Sequence, residues 1–154
     1  MISGRTKPWL PAKPQHAARK GARGQHFIGA ATIDIRGDRA VAETRMVLML
    51  RAPLAGQVVD VTCYGRFHDQ FVRQDKRWKI RKRVPIYEKD RLDPIDPACR
   101  MELDAQELAR HPEGYRHLAY VQASGGANVT PGLPTPDSEA LASLYAEGRA
   151  WLGG

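Results

Sequence analysis

Long apolar runs are missing from this sequence: none approaches the ~20 residues that a membrane-crossing helix requires. Cysteine is scarce. Cys63 and Cys99 are too few and too far apart for a metal motif. No apolar segment follows the N-terminal charges, so no export signal is expected, and both thiols are expected to be reduced in a cytoplasmic protein. Cys63 lies in an apolar stretch, where packing is the expected role. Acidic residues and tyrosine are absent from positions 1–25, which hold six bases: Arg5, Lys7, Lys13, Arg19, Lys20 and Arg23. The chain as a whole has a net charge of +7, and most of that excess belongs to this leader, with a smaller cluster at Lys79, Arg81, Lys82 and Arg83. Without a concentrated basic face in the body, nucleic acid is not an expected partner. Phosphate-loop spacing is lacking around Ser124-Gly125-Gly126. Asp90, Asp93 and Asp96 lack the alternating ligands and terminal glutamate of a calcium loop, so neither metal nor cofactor is expected.

At 154 residues the chain is long enough for one domain with its own core. Pro8, Pro11 and Pro14 bar a helix from the leader, which is expected to be poorly ordered or to lie as an arm on the domain. From His26 the pattern alternates. The first strand is expected at His26 to Arg36, with Ala31, Ile33 and Ile35 on one face, and Gly37-Asp38 signals a hairpin. A second strand is expected from Arg39 to Arg51 and a third from Gln57 to Arg73. The third places Val59, Val61, Cys63, Phe67 and Phe71 on one face and Asp60, Thr62, Tyr64, Arg66, His68 and Gln70 on the other. Gly65 marks a bend or bulge. Trp78 to Glu88 is the fourth strand, and Asp90 to Pro97 reads as loop. Asp104 caps a short helix over Ala105 to Arg110, and Pro112 opens a second that runs to Gln122. Thr135 or Asp137 caps a last helix to Leu152, with Leu141, Leu144, Tyr145 and Leu152 as its apolar stripe. The expected class is α+β: a strongly curved, mostly antiparallel sheet over residues 26–98, with C-terminal loop and helices over 99–154 packing on it.

Certain residues, taken in order, carry a resemblance: His26-Phe27-Ile28-Gly29, Gly37-Asp38-Arg39-Ala40, Gly65-Arg66-Phe67 with Asp69, and Trp78-Lys79-Ile80 with Arg83. This stretch resembles the SnoaL-like branch of the nuclear-transport-factor-2-like superfamily. The resemblance implies a cone-like half-barrel wrapped around a pocket for a small, largely apolar organic molecule, often in a homodimer formed through the sheet. Relatives such as scytalone dehydratase and bile-acid 7α-dehydratase use a histidine at the start of the matching strand as acid or base, and His26 matches it. In those relatives an aspartate and often a tyrosine on N-terminal helices assist the histidine. Residues 1–25 offer neither, so a shortened or mis-started chain is expected. The implied activity is a cofactor-independent lyase (dehydratase) or isomerase. The alternative is a non-catalytic binding or assembly subunit like the β-subunits of ring-hydroxylating dioxygenases.

An imidazole titrates near neutrality and can both take and give a proton, which is the chemistry expected of His26. Tyr64, Arg66 and His68 share a strand face and are candidates to line the pocket and orient a substrate oxygen, unless that face is simply solvated. Arg83 is a candidate for holding an anionic group, or for an ion pair with Asp60 or Asp69.

Overall fold

Alternation over four successive stretches produces one four-stranded antiparallel meander, in the order β1-β2-β3-β4, in a computed structural model that describes residues 22–154. The strands are β1 (Arg23–Arg36), β2 (Arg39–Leu54), β3 (Gln57–Gln74) and β4 (Arg77–Pro94). The expected irregular leader lies outside the described residues up to position 21; from Arg23 the chain is already strand. Gly37 (φ 58°) and Gly56 (φ 79°) supply the left-handed turns that join the first three strands.

Register is unbroken between the two central strands, from Arg39 opposite Val72 to Leu54 opposite Gln57. Both outer strands carry bulges. In β1, Gly29 and Ala30 together oppose Arg45. In β4, Arg81 and Glu88 are the extra residues, one between the pairs Phe71–Ile80 and Gln70–Lys82, the other between Gly65–Tyr87 and Tyr64–Lys89. Each bulge bends its strand and raises the local twist, which curves the sheet. The bulge at Glu88 explains Gly65. A Cβ at that position would lie 2.2 Å from the Ile86 carbonyl oxygen, a backbone atom that cannot step aside.

Three helices follow: α1 (Ala105–Ala109), α2 (Arg116–Ser124), entered through a short 3-10 turn at Glu113–Tyr115, and α3 (Glu139–Gly153). Strict alternation on β3 gives the sheet two faces, and the helices use them at opposite ends. On one face Val59, Val61 and Cys63 form the main core with Ala52, Leu54, Tyr115, Leu118, Ala119 and Val121. Burial among these pushes the Cys63 thiol up to about 12, with the nearby Asp90 adding to the effect, so Cys63 is a packing residue. On the other face Arg66, His68 and Gln70 lie beneath α3 through its Tyr145, Glu147 and Gly148.

Two local expectations need correction. Asp90 to Pro94 is not loop but the end of β4, with Asp90 opposite Cys63 and Pro94 opposite Val59. The long β3 needs a partner along its whole length, and a proline without an N–H is tolerated at the end of an edge strand. The N-cap of α3 is Ser138, not Thr135 or Asp137. Its Oγ accepts the N–H groups of Leu141 (3.2 Å) and Thr135 (3.1 Å), while Asp137 takes a left-handed turn at φ 61°. Asp104 caps α1 as expected, accepting from Gln106 (2.8 Å) and Glu107 (3.1 Å). Among the described residues no helix is long and apolar enough to cross a membrane.

Candidate functional site

The two-residue period of β3 puts Arg66 and His68 side by side, and the β2–β3 register sets Arg45 and Glu43 directly opposite them. Two arginines facing each other need an acid between them. The extra residue of the β4 bulge provides it: Glu88 Oε1 accepts from Arg45 Nη1 (2.7 Å) and also from Arg66 Nη1. Arg66 is mostly buried; its Nε forms an ion pair with Glu43, and its Nη2 donates to the Tyr145 hydroxyl (2.8 Å). Tyr145 in turn donates to Glu43 Oε2 (2.9 Å). Glu43, Arg66, Glu88 and Tyr145 thus form one network drawn from β2, β3, β4 and α3. Burial works against the Arg66 cation, but Tyr145, Glu43 and Glu88 outweigh it and raise its pKa. Burial and Glu43 also raise the Tyr145 phenol, against the pull of Arg66, so it stays protonated at neutral pH.

His68 lies beside this network and takes no part in it. Its side chain is only 3% exposed, yet neither ring nitrogen has a protein partner. The Tyr145 ring meets it edge-on with centroids 5.6 Å apart. Burial lowers its pKa below 6.5, against the opposing pull of Glu43, Asp69 and Glu147, so the imidazole is neutral at pH 7. His68, Arg66, Glu43 and Tyr145 line a cavity of about 360 Å³ between β1, β2, β3 and α3. Ala30, Val41 and Leu152 give it an apolar side, and Asp34 and Arg149 also line it. The β1 bulge brings Ala30 to this wall, as the β4 bulge brings Glu88 to the network behind it. Among the described residues, no cluster of His, Cys, Asp and Glu could hold a metal ion.

Of the residues singled out from sequence, Arg66 and His68 come together here. Tyr64 does not line the cavity; it is exposed beneath Lys89, whose Nζ lies 5.2 Å from the ring centroid. Arg83 is engaged on the opposite face. Its Nε and Nη2 each lie 2.7 Å from an oxygen of the buried Asp69 carboxylate, and its guanidinium lies 4.4 Å from the Phe67 ring centroid. Asp60 pairs instead with Arg51. His26 stands exposed on β1 opposite Leu48, its ring 6.1 Å from that of Phe67, and it does not line the cavity. Sequence reasoning missed Glu43, Glu88 and Tyr145 as site residues. Tyr145 was hidden because a tyrosine at helical spacing reads as part of an apolar stripe. Glu43 had a signal, since it sits on the strand face that the register presents to His68.

The sequence is similar to those of known proteins. Residues 10–84 match the family model of the SnoaL-like domain. The chain is 33% identical over 145 residues to a PEP2-like protein of Fusarium vanettenii, covering 88% of this chain and 62% of that one. It is 31% identical over 145 residues, with the same coverage, to pea pathogenicity protein 2 of that fungus. It is 32% identical over 149 residues to an uncharacterized protein of Emericella nidulans, covering 87% of this chain and 63% of that protein. The chain therefore spans about three-fifths of the length of these curated relatives. The curved antiparallel meander, the helices packed on it and the family match together establish that the chain carries a SnoaL-like domain of the nuclear-transport-factor-2-like superfamily.

Proposed function

We propose that this domain binds a small organic carbonyl compound in the cavity under α3 and acts on it as a cofactor-independent lyase or isomerase. The observation that carries this reading is His68: a buried, neutral imidazole lining a cavity with both nitrogens uncommitted. Buried polar groups are nearly always paired, and one left over in a cavity suits a ligand contact. The cavity volume falls within the range of small-molecule sites. The apolar side formed by Ala30, Val41 and Leu152 suits a largely apolar ligand body.

The chemistry follows from the neighbours. Neutral His68 takes the proton α to the carbonyl, and the C–H electron pair moves onto the carbonyl oxygen as an enolate. Arg66 has N–H groups left after its three contacts, and it supplies positive potential for that oxygen, held in place by Tyr145. As the enolate collapses, a β-hydroxyl leaves as water with the proton returned by the imidazolium, which is dehydration. Return of the proton to a different carbon is isomerisation. The resemblance calls for a histidine assisted by an acid and a tyrosine, and Glu43 with Tyr145 offers that pair from β2 and α3. We therefore assign the acid/base role to His68 rather than to His26.

The test is exchange of α-protons with solvent deuterium in a panel of small β-hydroxy and unsaturated carbonyl compounds, followed by NMR. His68→Gln is expected to reduce exchange by about 10²–10⁴-fold, Tyr145→Phe less, and His26→Gln hardly at all. Loss of exchange in His26→Gln with activity kept in His68→Gln would return the role to His26.

A non-catalytic binding or assembly role is the second reading, favoured by Ile28, Ile33, Ile35 and Ile80, which are exposed on the sheet face away from the cavity. The homodimer implied by the resemblance would use this face. Light scattering is expected to give twice the chain mass, and Ile33→Glu with Ile35→Glu to give the mass of one chain.

A further inference from the structure

Among the described residues, two helices cover the sheet, and they are held by different forces. Helix α2 buries Leu118, Ala119 and Val121 in the main core. Of the fifteen residues of α3 only Leu144 and Gly148 are buried. What holds α3 is polar. Tyr145 bonds to Glu43 and Arg66. Glu147 accepts from Gln70 (3.1 Å) and Lys82 (2.5 Å). Trp151 sits with the guanidiniums of Arg39 and Arg81 at 4.5 and 4.4 Å from its ring, and its Nε1 donates to the Phe71 carbonyl (3.2 Å). Hydrogen bonds and ion pairs of this sort exchange for water with little net loss, whereas buried apolar area does not. The opening free energy of α3 is therefore far below that of α2.

Beneath α3 lies His68. A Cβ on Gly148 would come within 2.8 Å of His68 Nε2, so the helix backbone rests on the imidazole. In this closed position both ring nitrogens are buried and have no protein partner.

We propose that α3 is a gate over the cavity, shut by the Tyr145, Glu147 and Trp151 contacts, and that protonation of His68 opens it. An imidazolium has two N–H donors and needs two acceptors. Closed, the three acids that act on it are engaged elsewhere: Glu43 already serves Arg66 and Tyr145, Asp69 on the same strand points to the other face and holds Arg83, and Glu147 on α3 serves Gln70 and Lys82. The remaining charged groups around it are Asp34 from β1, Arg45 from β2, Arg66 from β3, Lys82 from β4 and Arg149 from α3, of which the four bases repel a second cation. Opening lets water solvate the ring.

The sign is fixed by burial. The closed-state pKa of His68 lies below 6.5, while a solvated imidazole titrates near 6.5. The open state therefore binds more protons, and closure is fully stable above pH 6.5 and weakens as pH falls below it. Glu147 is held below its usual range by Lys82 and Gln70, so it stays ionised in this window. The gate stands independently of the proton-transfer chemistry, because it concerns closure and not turnover.

Hydrogen exchange on the full chain, read by mass spectrometry at pH 7.5 and 5.5 and corrected for intrinsic rates, tests it. Protection over 139–153 is expected to drop at least tenfold at pH 5.5 while that of 116–124 holds. His68→Gln should abolish the pH response. Gly148→Ala should leave α3 unprotected at both pH values, with α2 unchanged. Loss of protection in both helices together, or a pH response that survives His68→Gln, would overturn the gate.

Discussion

Replacing Gly65 with alanine is expected to cost this domain about 3 kcal/mol or more, at the upper end of overpacking penalties, and to lower its melting temperature by roughly 10 °C. The new methyl group would sit 2.2 Å from the Ile86 carbonyl oxygen, and Met46 Cε lies 3.3 Å from the same point. The methionine can move aside but the carbonyl cannot, so β3 and β4 must part where the bulge joins them. That strain reaches the site directly. Glu88 occupies the bulge and neutralises both Arg45 and Arg66, so a shift of β4 leaves two arginines face to face on neighbouring strands. The variant should lose ligand binding at temperatures where it is still folded. Gly37 is the control: it has φ 58° and nothing within 4 Å of its missing Cβ. Gly37→Asn, a residue that tolerates left-handed turns, should cost about 1 kcal/mol or less. Equal losses in thermal melts of the two variants would refute the packing argument.

Asp90→Ala is expected to destabilise by about 2–4 kcal/mol, the range for stripping a partner from a buried charged hydrogen-bond pair, reduced because His117 is partly exposed. The Asp90 side chain is fully buried. One oxygen lies 2.7 Å from His117 Nδ1, and the other accepts the Leu118 backbone N–H at 2.8 Å. No side chain of the preceding residues caps α2. Asp90 reaches across from β4 to do so, placing a negative charge at the first turn of the helix, where the backbone dipole favours it. Alanine removes cap and charge together, whereas Asp90→Asn keeps an acceptor for Leu118 and should cost about half as much. Urea denaturation distinguishes these outcomes. A fall in midpoint with unchanged slope, graded from asparagine to alanine, is expected. Asparagine as costly as alanine would mean that the charge matters and the cap does not.

The sheet was legible in the sequence because a two-residue period survives wherever a strand is regular. All four strands, the turn at Gly37-Asp38 and the two faces of β3 could be read that way. The bulges were not legible, apart from the hint given by Gly65. One extra residue inverts the alternation, and at Glu88 this resembles the end of a strand. The following Asp90 to Pro94, with its aspartate–proline pair, then reads as loop although it pairs with Val59 to Cys63. The site followed the same division. Arg66 and His68 lie on the unbroken part of β3, so their shared face could be read from the alternation. Glu88 lies in a bulge, and Tyr145 comes from a helix whose docking is tertiary, so nothing local marked either. His26 drew attention through its place in a family pattern, which carries no information about which side chains enclose a cavity in this chain.

The bulges have one further consequence, for how copies of the protein behave when crowded. All three lie on the outer strands, one on β1 and two on β4, while the inner pair β2–β3 is regular from end to end. An outer strand offers a row of backbone donors and acceptors to any passing strand, and β1 is long, with every residue exposed. The extra residue at Gly29–Ala30 puts that row out of step at its middle. An incoming flat strand can match the half before the bulge or the half after it, but not both. The same irregularity that shapes the cavity wall thereby limits strand-to-strand aggregation along the open edge.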